Sequence, residues 1–89
     1  MSDVLRAFGL AVRIFRERQG WSQAQLGQAA GIDRGYVSRI ESGSVDPGLE
    51  MQRRLANALS ITHTELIAQA EDEERRRRQR VERSGGDGW

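Results

Sequence analysis

The sequence contains no cysteine and no lysine, and among its 89 residues it has only one proline and one histidine. Without cysteine the chain can form neither a disulfide nor a thiolate metal site, and His63 alone leaves metal binding almost without ligands. The sequence also lacks a glycine-rich phosphate loop, and it has few groups suited to acid–base or nucleophilic catalysis. We therefore expect no enzyme activity, no metal, no cofactor and no small-molecule ligand.

Long hydrophobic runs are also missing, since no stretch approaches the roughly 20 apolar residues that a membrane span requires. The start, Met1-Ser2-Asp3, carries an acid where a signal peptide would carry positive charge. These features predict a cytoplasmic protein without a membrane partner. A chain of 89 residues has room for one domain.

The net charge of +1 lacks the strong basic excess that often marks nucleic-acid binding. All 14 basic residues are arginines, whose planar guanidinium can pair with a phosphate or with a guanine edge. Compositional bias of the genome explains this usage more simply than function does. Charge balance alone therefore does not decide whether the partner is nucleic acid.

Apolar residues recur every three or four positions in several segments, which predicts a chain of amphipathic helices. The first helix is expected from Val4 to Arg18 and the second from Gln23 to Ala30, after a capping box. The third is expected to follow Asp33 as its N-cap and to stop near Gly43. The residues that support these helices are Leu5, Phe8, Val12 and Phe15 in the first, Ser22, Gln25 and Leu26 in the second, and Tyr36, Val37 and Ile40 in the third.

Two further helices are expected after a loop that is rich in turn-forming residues. Asp46-Pro47 is a plausible start for the fourth helix, and Thr62 with Glu65 has the spacing of a capping box that opens the fifth. The apolar residues of these two helices are Leu49, Met51, Leu55, Ala56 and Leu59 in the fourth, and Leu66, Ile67 and Ala70 in the fifth.

The apolar pattern ends at Ala70, so we divide the chain into a domain, 1–70, and a charged tail, 71–89. Four acids, 71–74, precede four arginines, 75–78, at the i,i+4 spacing that favours a helix. With Val81 as the only large apolar residue of 71–83, nothing is expected to anchor the extension to a core. The closing Ser84-Gly85-Gly86-Asp87-Gly88 is expected to hold no conformation, and Trp89 is unassigned. A phosphate-binding role for the arginine run is less favoured than a self-paired, solvated helix.

Two short helices joined by a glycine-containing turn form the unit that places one helix in the major groove of DNA. The residue pattern is more specific than this arrangement. Arg16 precedes Gly20, Ser22-Gln23 opens the second helix, and the block from Tyr36 to Glu41 is followed closely by Gly43. In these features the chain, from about Phe8 to Leu66, resembles the lambda repressor/Cro (Xre-type) helix-turn-helix family. The resemblance implies a compact, all-α, five-helix domain that binds double-stranded DNA.

The resemblance also implies roles for individual residues. Gln23 matches a glutamine that contacts phosphate from a helix N-terminus, and Arg16 with Glu41 matches an ion pair between the first and third helices. The outward positions of the recognition helix, about 33–42, match residues that read bases. The implied base-reading residues are Arg34, Gly35, Ser38 and Arg39, and the implied phosphate-contacting residues are Ser22, Gln23, Tyr36, Ser42 and Ser44.

Several of these residues have simpler structural interpretations. Arg34 and Arg39 could be solvated side chains, although the motif favours DNA reading, and Tyr36 could equally be packed against the turn. His63 is expected to be solvated rather than a ligand. Gln52 departs from the family, in which a large apolar residue is usual at that position, so the local packing is open.

One short recognition helix covers few base pairs, so a regulator of this type is expected to bind a palindromic site as a homodimer. The sequence predicts a dimer surface on the fifth helix and the end of the fourth, comprising Ile61, Leu66, Ile67 and Ala70. Repression is the expected activity. The alternative is an antitoxin-like or adapter module that binds a protein, but no amphipathic stretch follows Ala70 to support it.

Overall fold

The computed structural model describes residues 2–86, and it describes the side-chain surroundings of residues 2–81. This part of the chain contains helices and connecting turns but no strand, which confirms the all-α expectation. None of its helices combines the length and the apolarity needed to cross a membrane. In chain order the helices are α1 (Asp3–Arg18), α2 (Gln23–Ala30), α3 (Arg34–Ser42), α4 (Leu49–Ala58) and α5 (His63–Gly86).

Side-chain caps fix the beginnings of most helices where the sequence predicts them. The Ser22 Oγ accepts from the backbone N–H of Gln25, and the Gln25 side chain accepts in return from the N–H of Ser22. Thr62 and Glu65 make the same reciprocal pair before α5. Because each pair satisfies two helix N-terminal donors, the start of the helix is fixed locally.

The start of α4 differs from the prediction. Gly48, not Asp46, is the N-cap, and it has no side-chain hydrogen bond to the helix. Pro47 lies buried before the helix, and its carbonyl accepts a hydrogen bond of 3.0 Å from the Gln52 side chain. Leu49, expected on the apolar side of α4, is 60% exposed at the first position of the helix.

All five helices contribute to one core. Most of the apolar positions expected from the periodicity are buried there, including Leu66 and Ala70 from α5. Leu66 is completely buried and Ala70 is 8% exposed, so neither is free to join a second subunit. This corrects the predicted dimer surface. Of its four residues, only Ile61 and Ile67 are partly exposed. The largest fully buried side chains are Val12, Leu26, Val37, Ile40, Leu55, Leu59 and Leu66.

Two glycines allow α3 to lie close to α1. A Cβ atom on Gly9 would lie 2.3 Å from the carbonyl oxygen of Ile40, so only glycine permits this approach of two backbones. Gly43 ends α3 in the left-handed conformation, with φ of 77°, and a Cβ there would lie 2.9 Å from Arg6 Cα. The position and the end of the third helix are therefore both set by contact with the first.

The charged segment after Ala70 is anchored, contrary to the sequence-based expectation. Helix α5 continues across residue 70 to Gly86, and thus includes residues 84–86, which were expected to be irregular. Glu73 is 7% exposed and accepts a hydrogen bond of 3.0 Å from Gln69, and Arg77 forms an ion pair of 3.0 Å with Asp3 of α1. Periodicity of apolar residues could not reveal this anchor because polar side chains form it. The predictions for Asp87, Gly88 and Trp89 concern residues outside the described part of the chain.

Candidate nucleic-acid interface

Helices α2 and α3 are joined by a short turn in which Gly31 adopts the left-handed conformation, with φ of 74°. Asp33 caps α3 by accepting a 2.7 Å hydrogen bond from the N–H of Tyr36. One side of α3 buries Val37 and Ile40 in the core. The opposite side leaves exposed the four residues that the resemblance assigns to base reading, Arg34, Gly35, Ser38 and Arg39.

Tyr36 is half-buried and packs against the core, while its ring lies beneath an arginine of the next turn. The guanidinium carbon of Arg39 is 5.7 Å from the centroid of that ring, which is within the range of a cation–π contact. The tyrosine therefore combines packing with support of an exposed arginine on the surface of α3.

Arg16 and Glu41 join α1 to α3 in a bidentate ion pair. Arg16 Nε lies 2.7 Å from Glu41 Oε2, and Arg16 NH2 lies 2.9 Å from Glu41 Oε1. The remaining terminal nitrogen of Arg16 donates to the carbonyl of Trp21, at 2.7 Å. The hydrogen bonds to Glu41 raise the pKa of Arg16 above its ordinary value, against the opposing effect of burial. The arginine is therefore charged throughout the pH range in which the protein can be studied.

The ion pair also holds the first residue of α2. Gln23 Nε2 donates to Glu41 Oε1 at 3.1 Å, so a single carboxylate contacts side chains from α1 and α2 while it belongs to α3. Because Nε2 carries two hydrogens, a second donor of the Gln23 amide remains for an outside acceptor. Ser22 lies beside it, exposed, with its oxygen engaged in the cap.

Hydroxyl groups surround the end of α3. The Oγ atoms of Ser42 and Ser44 lie 2.9 Å apart, and each is within hydrogen-bond distance of the Arg39 carbonyl. Both serines are exposed. Ser42 also borders a crevice of about 340 Å³, which gathers several of the predicted DNA-contacting residues between α1, α2 and α3. The crevice is lined by Arg13, Arg16, Gln23, Ser38, Glu41 and Ser42.

Arg13 is the residue of this surface that sequence reasoning missed. Its side chain is 57% exposed and forms only a 3.5 Å ion pair with Glu17. Arg13 lies one helical turn before Arg16, and this spacing could have indicated that both arginines lie on the same side of α1.

His63 is not simply solvated, as was expected, because its Nε2 lies 2.8 Å from the side-chain oxygen of Gln52. The same Gln52 amide donates to the carbonyl of Pro47. Gln52 therefore links the loop before α4 to the start of α5, using two polar contacts where an apolar side chain was anticipated from the family pattern. Within the part of the chain that is described, no cluster of potential metal ligands occurs.

Comparison with known proteins places this geometry in a family. A family model described as a helix-turn-helix domain matches residues 7–69. The chain belongs to the helix-turn-helix family of transcriptional regulators. Its resemblance to the lambda repressor/Cro (Xre-type) group is confirmed by the solved structures that it matches.

Several curated relatives carry regulator names. A Neisseria meningitidis protein named a hypothetical transcription factor is 32% identical over 73% of this chain and 61% of its own length. The Bacillus subtilis regulator SlrR is 32% identical over 66% of this chain and 40% of its own length. A competence pilus inhibition repressor from Acinetobacter baylyi is 31% identical over 72% of this chain and 58% of its own. The chain thus spans only about half of the length of these relatives.

Solved structures show the same fold. The restriction-modification controller protein C.AhdI from Aeromonas hydrophila is 39% identical, with a TM-score of 0.68, over 70% of this chain and 94% of that one. The clp gene regulator ClgR from Corynebacterium glutamicum has a TM-score of 0.87 over 91% of this chain and 86% of that one, at 22% identity, and so shows the fold alone.

Proposed function

We propose that the protein is a sequence-specific DNA-binding transcriptional regulator, a repressor that binds a palindromic operator as a homodimer. The observation that carries the proposal is the two-sided character of α3. Val37 and Ile40 fix this helix in the core, whereas Arg34, Ser38 and Arg39 are exposed on its outer side. A short helix held in this way can enter the major groove of DNA.

In this proposal the exposed side chains of α3 read bases. The guanidinium groups of Arg34 and Arg39 suit the O6 and N7 acceptors of guanine, and Ser38 can contact either base of a pair. Gly35 has no side chain, so the base pair opposite it is either not recognised or recognised only through DNA shape. The cation–π contact of Arg39 with Tyr36 restricts the conformations of the arginine side chain.

Contacts to the DNA backbone are assigned to the edges of the same surface. Gln23 at the N-terminus of α2 is suited to a phosphate because the first backbone N–H groups of a helix attract an anion. The other phosphate contacts are assigned to Ser22, Tyr36, Ser42 and Ser44, each of which carries a hydroxyl group. Arg16 and Glu41 are assigned to the scaffold, since each is satisfied by the other.

The oligomeric state and the sign of regulation follow from different arguments. Two half-sites multiply the few base contacts that one short helix can make, which supports a homodimer on a palindrome. The relative named a competence pilus inhibition repressor supports repression. DNA as the target implies action in the cytoplasm.

Selection of binding sites from a random pool of duplex DNA tests the proposal. The wild-type chain is expected to enrich a symmetric motif with two half-sites. A variant with both Arg34→Ala and Arg39→Ala keeps the fold, because both side chains are exposed, and serves as the matched control. Enrichment of the same motif by this control would contradict base reading by Arg34 and Arg39. Enrichment of no motif by the wild type would contradict DNA reading altogether and favour a protein-binding adapter.

A further inference from the structure

A groove of about 150 Å³ lies between α1, α5 and the chain around the start of α4. Its lining combines apolar side chains with three acidic residues. The apolar side chains include Leu5, Phe8, Ile67 and Ala70, and the acidic residues are Asp46, Glu71 and Glu74. A groove of this composition suits an apolar side chain that arrives together with positive charge.

The side of α5 that borders the groove continues beyond it. Ile67, Glu71, Glu74, Arg78 and Val81 are separated by alternating steps of four and three residues, so they form one line along the helix, which we call the α5 stripe. The stripe begins at the groove with a half-buried isoleucine and ends at a valine that is 68% exposed. Both of its ends are therefore apolar, and its centre is charged.

The charges along α5 reverse sign halfway. Residues 71–74 are all acidic and residues 75–78 are all arginine. Two copies of such a helix repel each other when they lie parallel in register, because like charges then meet. In an antiparallel pair the acidic half of each helix lies against the basic half of the other.

From the groove, the stripe and this charge reversal we infer that two copies of the chain pair through antiparallel α5 stripes, each placing Val81 at the groove of the other. This inference rests on the proposed function, for which it supplies the dimer interface. Most of the stripe lies after residue 69, where the match to the family model ends.

The spacing supports a two-fold axis near Glu74. Measured along the helix, Ile67 and Val81 are each about 10.5 Å from Glu74, while Glu71 and Arg78 are about 4.5 and 6 Å from it, on opposite sides. The antiparallel arrangement therefore brings Ile67 opposite Val81 of the second copy and Glu71 opposite its Arg78.

The two-fold axis brings Glu74 of one copy near Glu74 of the other, and Arg78 of the same chain offsets the charge of each. Within each chain Arg78 lies 3.5 Å from Glu74, and its side chain is 63% exposed. A guanidinium has five N–H donors, so Arg78 can keep this contact while it pairs with Glu71 of the second copy.

Charge reversal tests the pairing in the full-length chain by sedimentation equilibrium. Glu71→Arg alone places arginine against Arg78, and Arg78→Glu alone places glutamate against Glu71, so each variant is expected to raise the dimer dissociation constant at least about tenfold. An equimolar mixture of the two variants restores both opposite-charge pairs and is expected to form heterodimers. The double variant in one chain is expected to form homodimers again.

Arg80→Glu is the matched control, since this exposed arginine lies outside the stripe and undergoes the same change of charge. It is expected to dimerise as the wild type does. Circular dichroism of each variant monitors the fold, and recovery in the mixture shows that the single variants are folded.

A wild-type chain that is monomeric at every concentration overturns the inference, as do single reversals that dimerise normally or a mixture that does not recover. The DNA selection separates these failures from failure of the proposed function. If the selection enriches a symmetric motif although the α5 stripes do not pair, only this interface is overturned. If the selection enriches no motif, the proposed function is overturned.

Discussion

Glu41 Oε1 accepts hydrogen bonds from both Arg16 and Gln23, at 2.9 and 3.1 Å, so one carboxylate oxygen ties the scaffold ion pair to the first residue of α2. Neither member of the ion pair is well solvated, since 11% of the Arg16 side chain and 5% of the Glu41 side chain are exposed. The position of a proposed phosphate contact thus depends on the pair that joins α1 to α3.

Replacing Glu41 by alanine is expected to destabilise the fold by about 3 kcal/mol, because it leaves the Arg16 charge largely buried without a partner. Urea denaturation measures the loss. A double variant, Arg16→Met with Glu41→Leu, removes both charges and is expected to recover most of the stability. If Glu41→Ala alters the selected DNA motif without lowering stability, the scaffold role is wrong.

Replacing Arg34 by alanine is expected to weaken binding to the selected site by roughly 1–3 kcal/mol and to relax preference at one base pair per half-site. Binding to scrambled DNA should change much less. Titration of both DNAs at one salt concentration gives the comparison, and equal losses on the two would remove Arg34 from base reading.

Gln23→Ala is expected to weaken selected and scrambled DNA alike, by about 1 kcal/mol, because a phosphate contact carries no base information. The same titrations provide the measurement. Gln25, whose side chain is used in the cap of α2, offers a contrast: Gln25→Ala should lower stability rather than affinity. A loss confined to the selected site would argue for base reading by Gln23.

Gly9→Ala is expected to destabilise the protein by about 1–3 kcal/mol, as overpacking does, because the new methyl group would meet the backbone of α3. Gly35→Ala is the matched control on an exposed helix position, where the nearest atom to the new Cβ is a side-chain oxygen of Asp33 at 3.2 Å. Its stability should stay within about 0.5 kcal/mol of the wild type. Thermal unfolding of both variants tests the difference, and equal stabilities would contradict the close approach at Gly9.

The contacts of Gln52 predict the tautomer of His63. Since the amide nitrogen of Gln52 donates to the Pro47 carbonyl, its oxygen faces the ring, and His63 must donate from Nε2. Nitrogen NMR at alkaline pH should therefore find the Nε2–H form of the neutral ring, and Gln52→Leu should remove that preference. The Nδ1–H form in the wild type would contradict this hydrogen-bond arrangement.

Much of the fold could be predicted because the information is local. The boundaries of α2 and α3 follow from caps and from glycines that lie within a few residues of the helix ends, such as Ser22 and Gly31. The start of α4 could not be predicted in this way, because Gly48 caps it without a side chain. Leu66 shows a further limit: periodicity placed it on an apolar face but could not decide whether the core or a second subunit covers that face.

The parts of the candidate site that follow from a residue pattern could be predicted from the sequence. The parts that depend on polar contacts between distant residues could not. The outward residues of α3 came from the resemblance together with helix periodicity. The hydrogen bond of Gln69 with Glu73 follows the local i,i+4 spacing. The link of Gln23 to Glu41, the burial of Glu73 and the pair of Arg77 with Asp3 instead depend on segments brought together only by the fold. A sequence offers no spacing rule for such contacts.

The position of Arg39 above Tyr36 has a consequence for the thermodynamics of DNA binding. An arginine that already rests on an aromatic ring has given up part of its rotamer freedom before DNA arrives, so less conformational entropy is lost when it docks. Among the described residues, Arg34 has no comparable support. Calorimetry of alanine variants should therefore show a larger entropic cost of docking for Arg34 than for Arg39, even if both arginines contact guanine in the same way.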